Sequence, residues 1–488
     1  MRTPALALLA LMLAGCLSAP PPAPLAAPGA TGGWALDCNL GSFERATDAS
    51  WAQACMARAS HTDGPKEETW LAVNPTDPGN VVIGAKDLNP ASSKECVWNG
   101  VSVTHDAGAT WRDVVIGGNY SDRQVGDPFW GYACNTDPMF RFDAKGDLHY
   151  AVEEYNLLGQ NADGILPKSA VTDALAAASV IPGWKIVLAT SHDGGDTWPD
   201  VITYQPDLVV ITDYSSMTIN PATQSILEMI GSAAGGCHIL ASRDGGQSAD
   251  LFTIPLSTQG IPCAAIAASP DGTVALVGDG LLFGGGGLGR VVVARSTDDG
   301  RTWLDANEGF TYTPIQGFSE SQYRVGSGME LAYDLTDGPR RGTLYALYGA
   351  ADVDEADVFV RSSSDDGATW SDAVRVNDDD TTSHQWMGNL AVAGDGSVHA
   401  FFFDKRHDPA HKLIDITHAV SLDGGATWTN ERVTSASFDG DLGVHQEGFP
   451  FIGDYIGVDA VGDHVWGGFP DASNGATTVI AAAHVRKG

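Results

Sequence analysis

The amino-acid sequence predicts an all-β chain folded as a β-propeller of four-stranded blades. An octapeptide of the form Ser/Thr-x-Asp-x-Gly-x-Thr-Trp recurs along it, and hairpin patterns recur between the copies. Glycine is abundant, with 58 of 488 residues, whereas charged residues make up 18% of the chain. This composition is typical of many short strands joined by tight turns and not of a helical protein.

Residues 1–16 are predicted to form a lipoprotein-type signal peptide. Arg2 precedes an apolar stretch, residues 5–14, that is too short to span a membrane as a mature helix. Leu13-Ala14-Gly15-Cys16 follows and resembles a lipobox, which implies cleavage and attachment of a diacylglycerol to Cys16. We therefore expect export and anchoring to the outer face of a membrane. An ordinary cleaved signal with an incidental cysteine is the alternative.

Residues 17–33 are rich in Pro, Ala and Gly and are predicted to be a flexible linker. Residues 34–488 are predicted to form a single propeller domain. The formal charge is -34, from 27 Lys and Arg against 61 Asp and Glu. Such a surface repels nucleic acid phosphates and anionic lipid head groups, so we expect no nucleic acid partner and membrane contact by the lipid anchor alone.

The six cysteines that follow Cys16 predict disulfide bonds, as expected in an exported chain. Six cysteines allow many pairings, and joining neighbours in sequence gives Cys38–Cys55, Cys96–Cys134 and Cys237–Cys263. The sequence has no C-x-x-C pair, no histidine cluster and no EF-hand-type loop, so we expect neither a metal nor another cofactor.

The octapeptide is interpreted as a strand-connecting turn. The Asp side chain can accept hydrogen bonds from backbone N–H groups further on, and the Gly two positions later permits a positive φ. The Trp then starts the next strand with a large apolar face. Five copies end in Trp and a sixth, at residues 242–248, is degenerate. Their aspartates are Asp106, Asp193, Asp244, Asp298, Asp365 and Asp423.

A second unit, a strand followed by a turn and another strand, occurs seven times between and around the octapeptides. Trp70–Pro75 before Asn80–Gly84 is the first, and Tyr455–Asp459 before His464–Gly468 is the last. After the last unit one strand remains, Thr477–Val485, so a fourth would have to come from within Trp34–Trp51. This closes the ring and removes open sheet edges. Seven blades are favoured, with six as the alternative.

The octapeptides resemble the Asp-boxes, or BNR repeats, of the sialidase superfamily, and they are spread over nearly the whole mature chain. The resemblance implies a propeller and is compatible with several functions, because binding proteins share these repeats with glycosidases. The enzymes of the family use three arginines to hold the sugar carboxylate, a tyrosine paired with a glutamate as nucleophile, and an aspartate as acid/base.

The family also has a Phe/Tyr-Arg-Ile-Pro motif ahead of the first Asp-box. This chain has Glu67-Glu68-Thr69-Trp70-Leu71-Ala72 there, with no arginine, and the nearest imitation is Phe140-Arg141-Phe142. The resemblance then implies anion clamps at Arg324 and Arg406. The other candidates are a nucleophile at Tyr323 or Tyr455, an activating base at Glu330 or Glu154, and an acid/base at Asp213 or Asp404.

Asp213-Tyr214 and Asp454-Tyr455 occupy equivalent starts of two units, which favours a structural role for these pairs, because a catalytic residue should be unique in a ring. We therefore expect a cell-surface lipoprotein, a monomer, that binds glycan or protein ligands on its central face without full sialidase catalysis. The alternative is an exo-α-sialidase-type glycoside hydrolase acting on terminal acidic sugars, and whether the chain is an enzyme stays open at this point.

Overall fold

Seven antiparallel sheets surround one axis in the computed structural model, each with four strands side by side. The model describes residues 54–60, 65–87, 97–118, 127–129, 134–155, 185–204, 212–232, 236–254, 262–279, 287–304, 306–352, 355–446, 449–475 and 478–487. Within these ranges no helix has both the length and the apolar character needed to cross a membrane.

The strands follow one another blade by blade. A short strand, β1 (Cys55–Arg58), precedes the first blade. The first three blades consist of β2 (Lys66–Val73), β3 (Val81–Asp87), β4 (Trp98–Thr104) and β5 (Arg112–Val114); β6 (Cys134–Phe142), β7 (Leu148–Tyr155), β8 (Lys185–Ser191) and β9 (Asp200–Tyr204); and β10 (Thr212–Ile219), β11 (Ile226–Ser232), β12 (Gly236–Ser242) and β13 (Asp250–Thr253).

The next three blades repeat the same order. They consist of β14 (Cys263–Ala268), β15 (Val274–Asp279), β16 (Gly289–Ser296) and β17 (Asn307–Tyr312); β18 (Met329–Tyr333), β19 (Leu344–Ala350), β20 (Asp357–Ser363) and β21 (Val374–Arg375); and β22 (Gln385–Val392), β23 (Val398–Asp404), β24 (Leu413–Ser421) and β25 (Thr429–Arg432). A two-residue strand, β26 (Phe438–Asp439), also pairs with β24.

The last part of the chain contains a small hairpin and the seventh blade. The hairpin is β27 (Val444–Gln446) with β28 (Phe449–Phe451). The seventh blade consists of β29 (Gly457–Val461), β30 (His464–Asp471) and β31 (Val479–Arg486), and β1 is its outermost strand. The innermost strands β2, β6, β10, β14, β18, β22 and β29 each contact the next, and β29 contacts β2. The predicted seven-bladed all-β propeller is confirmed.

The seventh sheet combines strands from distant parts of the sequence. β1 pairs antiparallel with β31, with Cys55 opposite His484. The segment predicted to supply this strand, Trp34–Trp51, lies outside the described residues, and β1 follows it in the chain. In the other six blades the octapeptide joins the third strand to the fourth. The seventh blade has no such turn, because its third and fourth strands are not consecutive, which explains six octapeptides in seven blades.

Each octapeptide aspartate holds its turn by the same set of hydrogen bonds. In the fifth blade Asp365 Oδ1 accepts from the backbone N–H of Thr369 at 2.8 Å and from Ser363 Oγ at 2.8 Å, and Oδ2 accepts from Thr369 Oγ1 at 2.7 Å. Burial raises the pKa of the Asp365 carboxyl, but the hydrogen bonds from Thr369 outweigh it and the pKa is lowered. The octapeptides are therefore structural corners.

Two of the octapeptide tryptophans pack against rings of a neighbouring blade. Trp111, in the first blade, packs edge-on against Trp466 of the seventh, with ring centroids 6.2 Å apart. Trp370, in the fifth, packs against Phe310 of the fourth at 5.5 Å. Burying two large rings at a blade interface contributes both apolar area and specific geometry. The Trp of the repeat thus stabilises the ring between blades as well as the turn within one.

Disulfide bonds also join the blades. Cys237 in β12 is bonded to Cys263 in β14, which connects the third blade to the fourth and confirms this predicted pair. Cys55 and Cys134 each take part in a further disulfide bond. Their predicted partners, Cys38 and Cys96, lie outside the described residues.

Candidate functional site

The starts of the innermost strands meet at one end of the propeller axis, which we call the axial mouth. Successive strands of a blade are antiparallel, so the octapeptide turns, which follow the third strands, lie at the opposite end. Inner-edge backbone groups are bonded by side chains of neighbouring blades: Asp459 Oδ2 accepts from Val73 N at 2.8 Å, and Asn389 donates to the Ile456 carbonyl at 2.8 Å. These contacts fix the strands around the axis.

Five innermost strands, β2, β6, β10, β14 and β22, have a register shift near their starts at the axial mouth, and in β2 and β6 the shift contains an acidic residue. The register of β2 shifts between Glu67 and Trp70, and that of β6 shifts between Thr136 and Met139. Glu68, within the first shift, has φ 53°, and Asp137, within the second, has φ 54°. A bulge changes the direction of the side chains that follow the strand alternation. Here it brings acidic groups into an otherwise apolar inner strand.

These acidic groups form a buried cluster with one lysine, which we call the axial cluster: Glu67, Glu68, Lys86 and Asp137. The Lys86 ammonium is ion-paired with Glu68 and lies 3.8 Å from Asp137 Oδ1. The Tyr455 hydroxyl donates to the same Asp137 oxygen at 3.1 Å, and its ring packs edge-on against Trp70. Tyr455 therefore links the seventh blade to the second through an acid of the axial cluster.

Glu67 is the least satisfied member of the axial cluster. It is 0% exposed, and neither carboxyl oxygen has a hydrogen-bond partner. Burial raises the pKa of Glu67 to about 8, although the positive charges of Lys86 and Arg324 act against the rise. Burial thus favours the protonated form of this carboxyl.

Two segments, which we call the cap, approach the axial cluster at Arg324 and at Gly453-Asp454: residues 313–328, between the fourth and fifth blades, and residues 449–456, which begin with β28 and precede the seventh. Arg324 Nε donates to Asp454 Oδ1 at 3.0 Å, Nη2 contacts Oδ2, and the guanidinium lies 4.4 Å from the centre of the Phe451 ring. Gly453 has φ +97°, and a Cβ on it would lie 2.7 Å from the backbone nitrogen of Glu68. Only glycine lets this segment approach the bulge so closely.

The structure places Tyr323 away from the axial cluster. Its ring stacks on Trp386 at 6.1 Å, and the Lys405 ammonium lies 5.5 Å from its centre. Burial raises the pKa of the Tyr323 phenol, and the acids that act on it are Asp441, Glu320 and Asp439, not the predicted base Glu330. Glu330 is buried on β18 and acts electrostatically on Arg141. The proposed Tyr323–Glu330 pair is therefore not assembled.

Arg406 and Asp404 lie between the outer parts of the fifth and sixth blades. The Arg406 guanidinium donates to Asp404 Oδ2 at 2.5 Å, to Asp378 Oδ1 at 2.7 Å and to Asn430 Oδ1 at 3.0 Å. Asp378 follows the outermost strand of the fifth blade and Asn430 lies on that of the sixth. Asp404 also accepts from Gln385 at 3.0 Å and from Thr417 at 2.8 Å. The structure does not bring Arg406 together with Arg324.

The remaining predicted residues are spread over the ring. Glu154 is ion-paired with Lys185 at 2.9 Å. Arg141 is on the innermost strand of the second blade, but it donates to the Leu71 and Phe140 carbonyls and lies over the Trp70 ring at 4.8 Å. The Asp213 side chain and Cys16 lie outside the described residues. Tyr455 and Arg324 are thus the two predicted residues that the structure places at the axial mouth.

Sequence reasoning named Glu67 and Glu68 as a departure from the arginine motif but did not assign them to the site, and it missed Lys86, Asp137 and Phe451. The strand pattern visible in the sequence begins at Trp70 and Met139, after the bulges. One signal was available: two consecutive glutamates lie directly before the apolar residues of a strand that is buried along its whole length. Within the described residues no group of three or more His, Cys, Asp or Glu side chains is arranged to hold a metal ion.

Comparison with known proteins gives structural matches only. No protein-family model matches the chain, and no curated protein does. A protein of unknown function from Dyadobacter fermentans matches with TM-score 0.47 at 13% identity, covering 89% of this chain and 98% of that one. A variant of the NanB sialidase from Streptococcus pneumoniae matches with TM-score 0.47 at 12% identity, covering 76% and 68%. The sialidase of Trypanosoma rangeli, with the inhibitor DANA, matches with TM-score 0.44 at 12% identity, covering 74% and 55%. The seven-bladed architecture follows from the strand pairing of this chain and not from these matches.

Proposed function

We propose that this chain is a ligand-binding propeller that uses its axial mouth and does not hydrolyse acidic sugars. The observation that supports this most directly is that Arg324 and Arg406 are both ion-paired with acidic side chains of the chain itself. The Arg324 guanidinium forms a two-contact ion pair with Asp454, and Arg406 is ion-paired with Asp404 and Asp378 in another part of the ring. The two guanidinium groups are therefore not placed side by side to bind the carboxylate of one ligand.

The charge of the axial mouth also disfavours an acidic sugar. Glu67 and Glu68 stand where the arginine motif of sialidases would be, and Asp137 and Asp454 lie beside them. An anionic ligand would meet these acids and a lysine that already has a carboxylate partner. The carboxylates of Asp137 and Asp454 and the Glu67 oxygens, which have no hydrogen-bond partner, instead suit a ligand that offers hydrogen-bond donors or positive charge.

Binding at the mouth can be tested with Tyr455→Phe, which removes the hydroxyl that bonds Asp137. The intact chain and this variant would be compared on glycan and peptide arrays. Tyr333→Phe is a matched control, because Tyr333 makes a similar bond to Asp366 at 2.9 Å on the octapeptide side of the fifth blade. Loss of signal with Tyr455→Phe alone is expected, and equal loss with both variants would contradict the proposed site.

Hydrolysis of acidic sugars is the alternative function. A fluorogenic sialoside incubated with the intact chain should release no product above the level seen without protein. Turnover that Tyr455→Phe abolishes and Tyr333→Phe retains would replace the binding proposal by the hydrolytic one, with Tyr455 as the nucleophile.

We also propose that the protein is exported and held at the outer face of a membrane by a lipid on Cys16. The support is the sequence of residues 1–16 and the linker that follows. Cells expressing the full chain would be labelled with an alkynyl fatty acid. The label should appear on the protein and be lost with Cys16→Ala, while release of the unlabelled protein into the soluble fraction should rise.

A further inference from the structure

The cap contains one arginine that is bound as an external ligand would be. Arg324 is on a connecting segment, and its guanidinium meets a fork of carboxylate oxygens on Asp454 and the face of Phe451. A guanidinium matches a carboxylate with two parallel hydrogen bonds and is attracted to an aromatic face. Asp454 and Phe451 therefore form a receptor for a guanidinium, which the chain fills with its own side chain.

This contact is exposed enough to open. The Arg324 side chain is 45% exposed and the Asp454 side chain 35%. Because both side chains reach solvent, a guanidinium from outside can contact the same carboxylate and ring when Arg324 moves away. The structure thus combines a specific geometry with a partly exposed internal occupant.

Beneath the same contact lies the buried carboxyl of Glu67. Neither of its oxygens has a hydrogen-bond partner, and it is close enough to Arg324 and Asp454 for both to act on its charge. A buried polar group without a partner is costly, and a donor-rich cation brought close to it would remove that cost. This group is a second observation, independent of the exposed contact, that points to a missing hydrogen-bond donor.

We propose that the axial mouth is a docking site for a basic peptide segment of a partner protein, whose arginine displaces Arg324 from Asp454 and Phe451 and faces Glu67. This inference rests on the proposed binding function and adds the ligand class. A peptide is favoured because the present occupant is itself an arginine in a connecting segment without helix or strand. The formal charge of -34 would also steer a basic partner towards this protein.

The test uses the full-length chain and two short fluorescent peptides that differ at one position. Acetyl-Gly-Gly-Arg-Gly-Gly-amide carries the guanidinium, and the citrulline peptide has the same shape without the charge. Fluorescence anisotropy should show binding of the arginine peptide at least about tenfold tighter than that of the citrulline peptide. Equal binding of the two peptides would overturn the proposal.

Two variants locate the interaction. Asp454→Asn should weaken binding of the arginine peptide by about tenfold or more. Asp196→Asn is the matched control, since it removes the same charge from an exposed pair with Arg112 on the octapeptide side, and it should leave binding unchanged. Equal loss with both variants would indicate non-specific attraction and reject the site.

A third variant tests whether Arg324 is the internal competitor. Arg324→Ala empties the receptor and should tighten binding of the arginine peptide several-fold, without tightening the citrulline peptide. Unchanged or weaker binding would refute displacement. The array experiment with Tyr455→Phe can succeed while this one fails. If Tyr455→Phe loses array signal but the arginine peptide does not bind as expected, the mouth remains a binding site and only the arginine ligand is rejected.

Discussion

Arg324 and Asp454, which are 130 residues apart in sequence, join the two segments of the cap through a forked ion pair. The first segment leads into the fifth blade and the second into the seventh, so the pair spans the mouth rather than a single blade. The hydrogen bonds of the octapeptide aspartates, in contrast, join residues that are two to four positions apart in sequence. This long-range contact therefore lies at the open end of the ring, beside the buried acids of the axial cluster.

Breaking this pair should loosen the cap and leave the ring intact. With Asp454→Asn we expect the free energy of unfolding to change by about 1 kcal/mol or less, because the pair is exposed to solvent. Hydrogen exchange of the backbone amides at 451–455 should become faster, as measured by mass spectrometry. Asp196→Asn should not alter exchange there. A cap that keeps its protection in Asp454→Asn would show that other contacts close the mouth.

Removing an octapeptide aspartate should destabilise the propeller although the residue is far from the mouth. Asp365→Ala eliminates three hydrogen bonds to a charged carboxylate and should lower the free energy of unfolding by about 1–2 kcal/mol in urea denaturation. Asp337→Ala, at a fully exposed aspartate in the same blade, is the control. A similar small effect of both changes would mean that the turn holds without its aspartate.

Stability should fall as the pH rises because of Glu228, a glutamate buried on β11. Burial alone raises the pKa of its carboxyl from 4.5 to about 8, and neither oxygen has a hydrogen-bond partner. Between these two pH values the folded protein holds a proton that the unfolded chain releases, so the contribution is complete below pH 4.5 and is lost by about pH 8. The slope is up to about 1.4 kcal/mol per pH unit.

Glu228→Gln isolates this effect. The difference in free energy of unfolding between the variant and the natural chain should change in favour of the variant as the pH rises from 4.5 to 8. Glu308→Gln, at an exposed glutamate, should give a constant difference. Parallel curves for the natural chain and Glu228→Gln would contradict the assignment of a buried proton to this residue.

The disulfide between Cys237 and Cys263 should contribute to stability by joining two blades. The bond closes a loop of 26 residues, and loss of such a cross-link costs about 2–4 kcal/mol in small domains. The double variant Cys237→Ala and Cys263→Ala should therefore show a lower thermal midpoint than the natural chain under oxidising conditions. Equal midpoints would show that the packing between the third and fourth blades is sufficient without it.

The repeats made the architecture predictable from the sequence, whereas the site was not. Each octapeptide encodes its own turn, and an apolar strand such as β19 follows from local patterning. The bulges at Glu68 and Asp137 interrupt the alternation, so these residues could not be assigned to a face. The Arg324–Asp454 contact depends on how two connecting segments cross the mouth, which no local pattern specifies. Arg406 was plausible by residue type, but its guanidinium is held by Asp404 and Asn430 of its own blade and by Asp378 of the neighbouring one.

The pairing of β1 with β31 has a consequence for the order of assembly. The Ile480 backbone N–H donates to Ser60 Oγ across 420 residues, although a ribosome delivers the earlier residue first. During synthesis β1 therefore has no partner strand until β31 has been made. Two newly made molecules that are close together can pair β1 of one with β31 of the other, which is a domain swap. A low protein concentration and slow synthesis should therefore favour the monomer with its own strands paired.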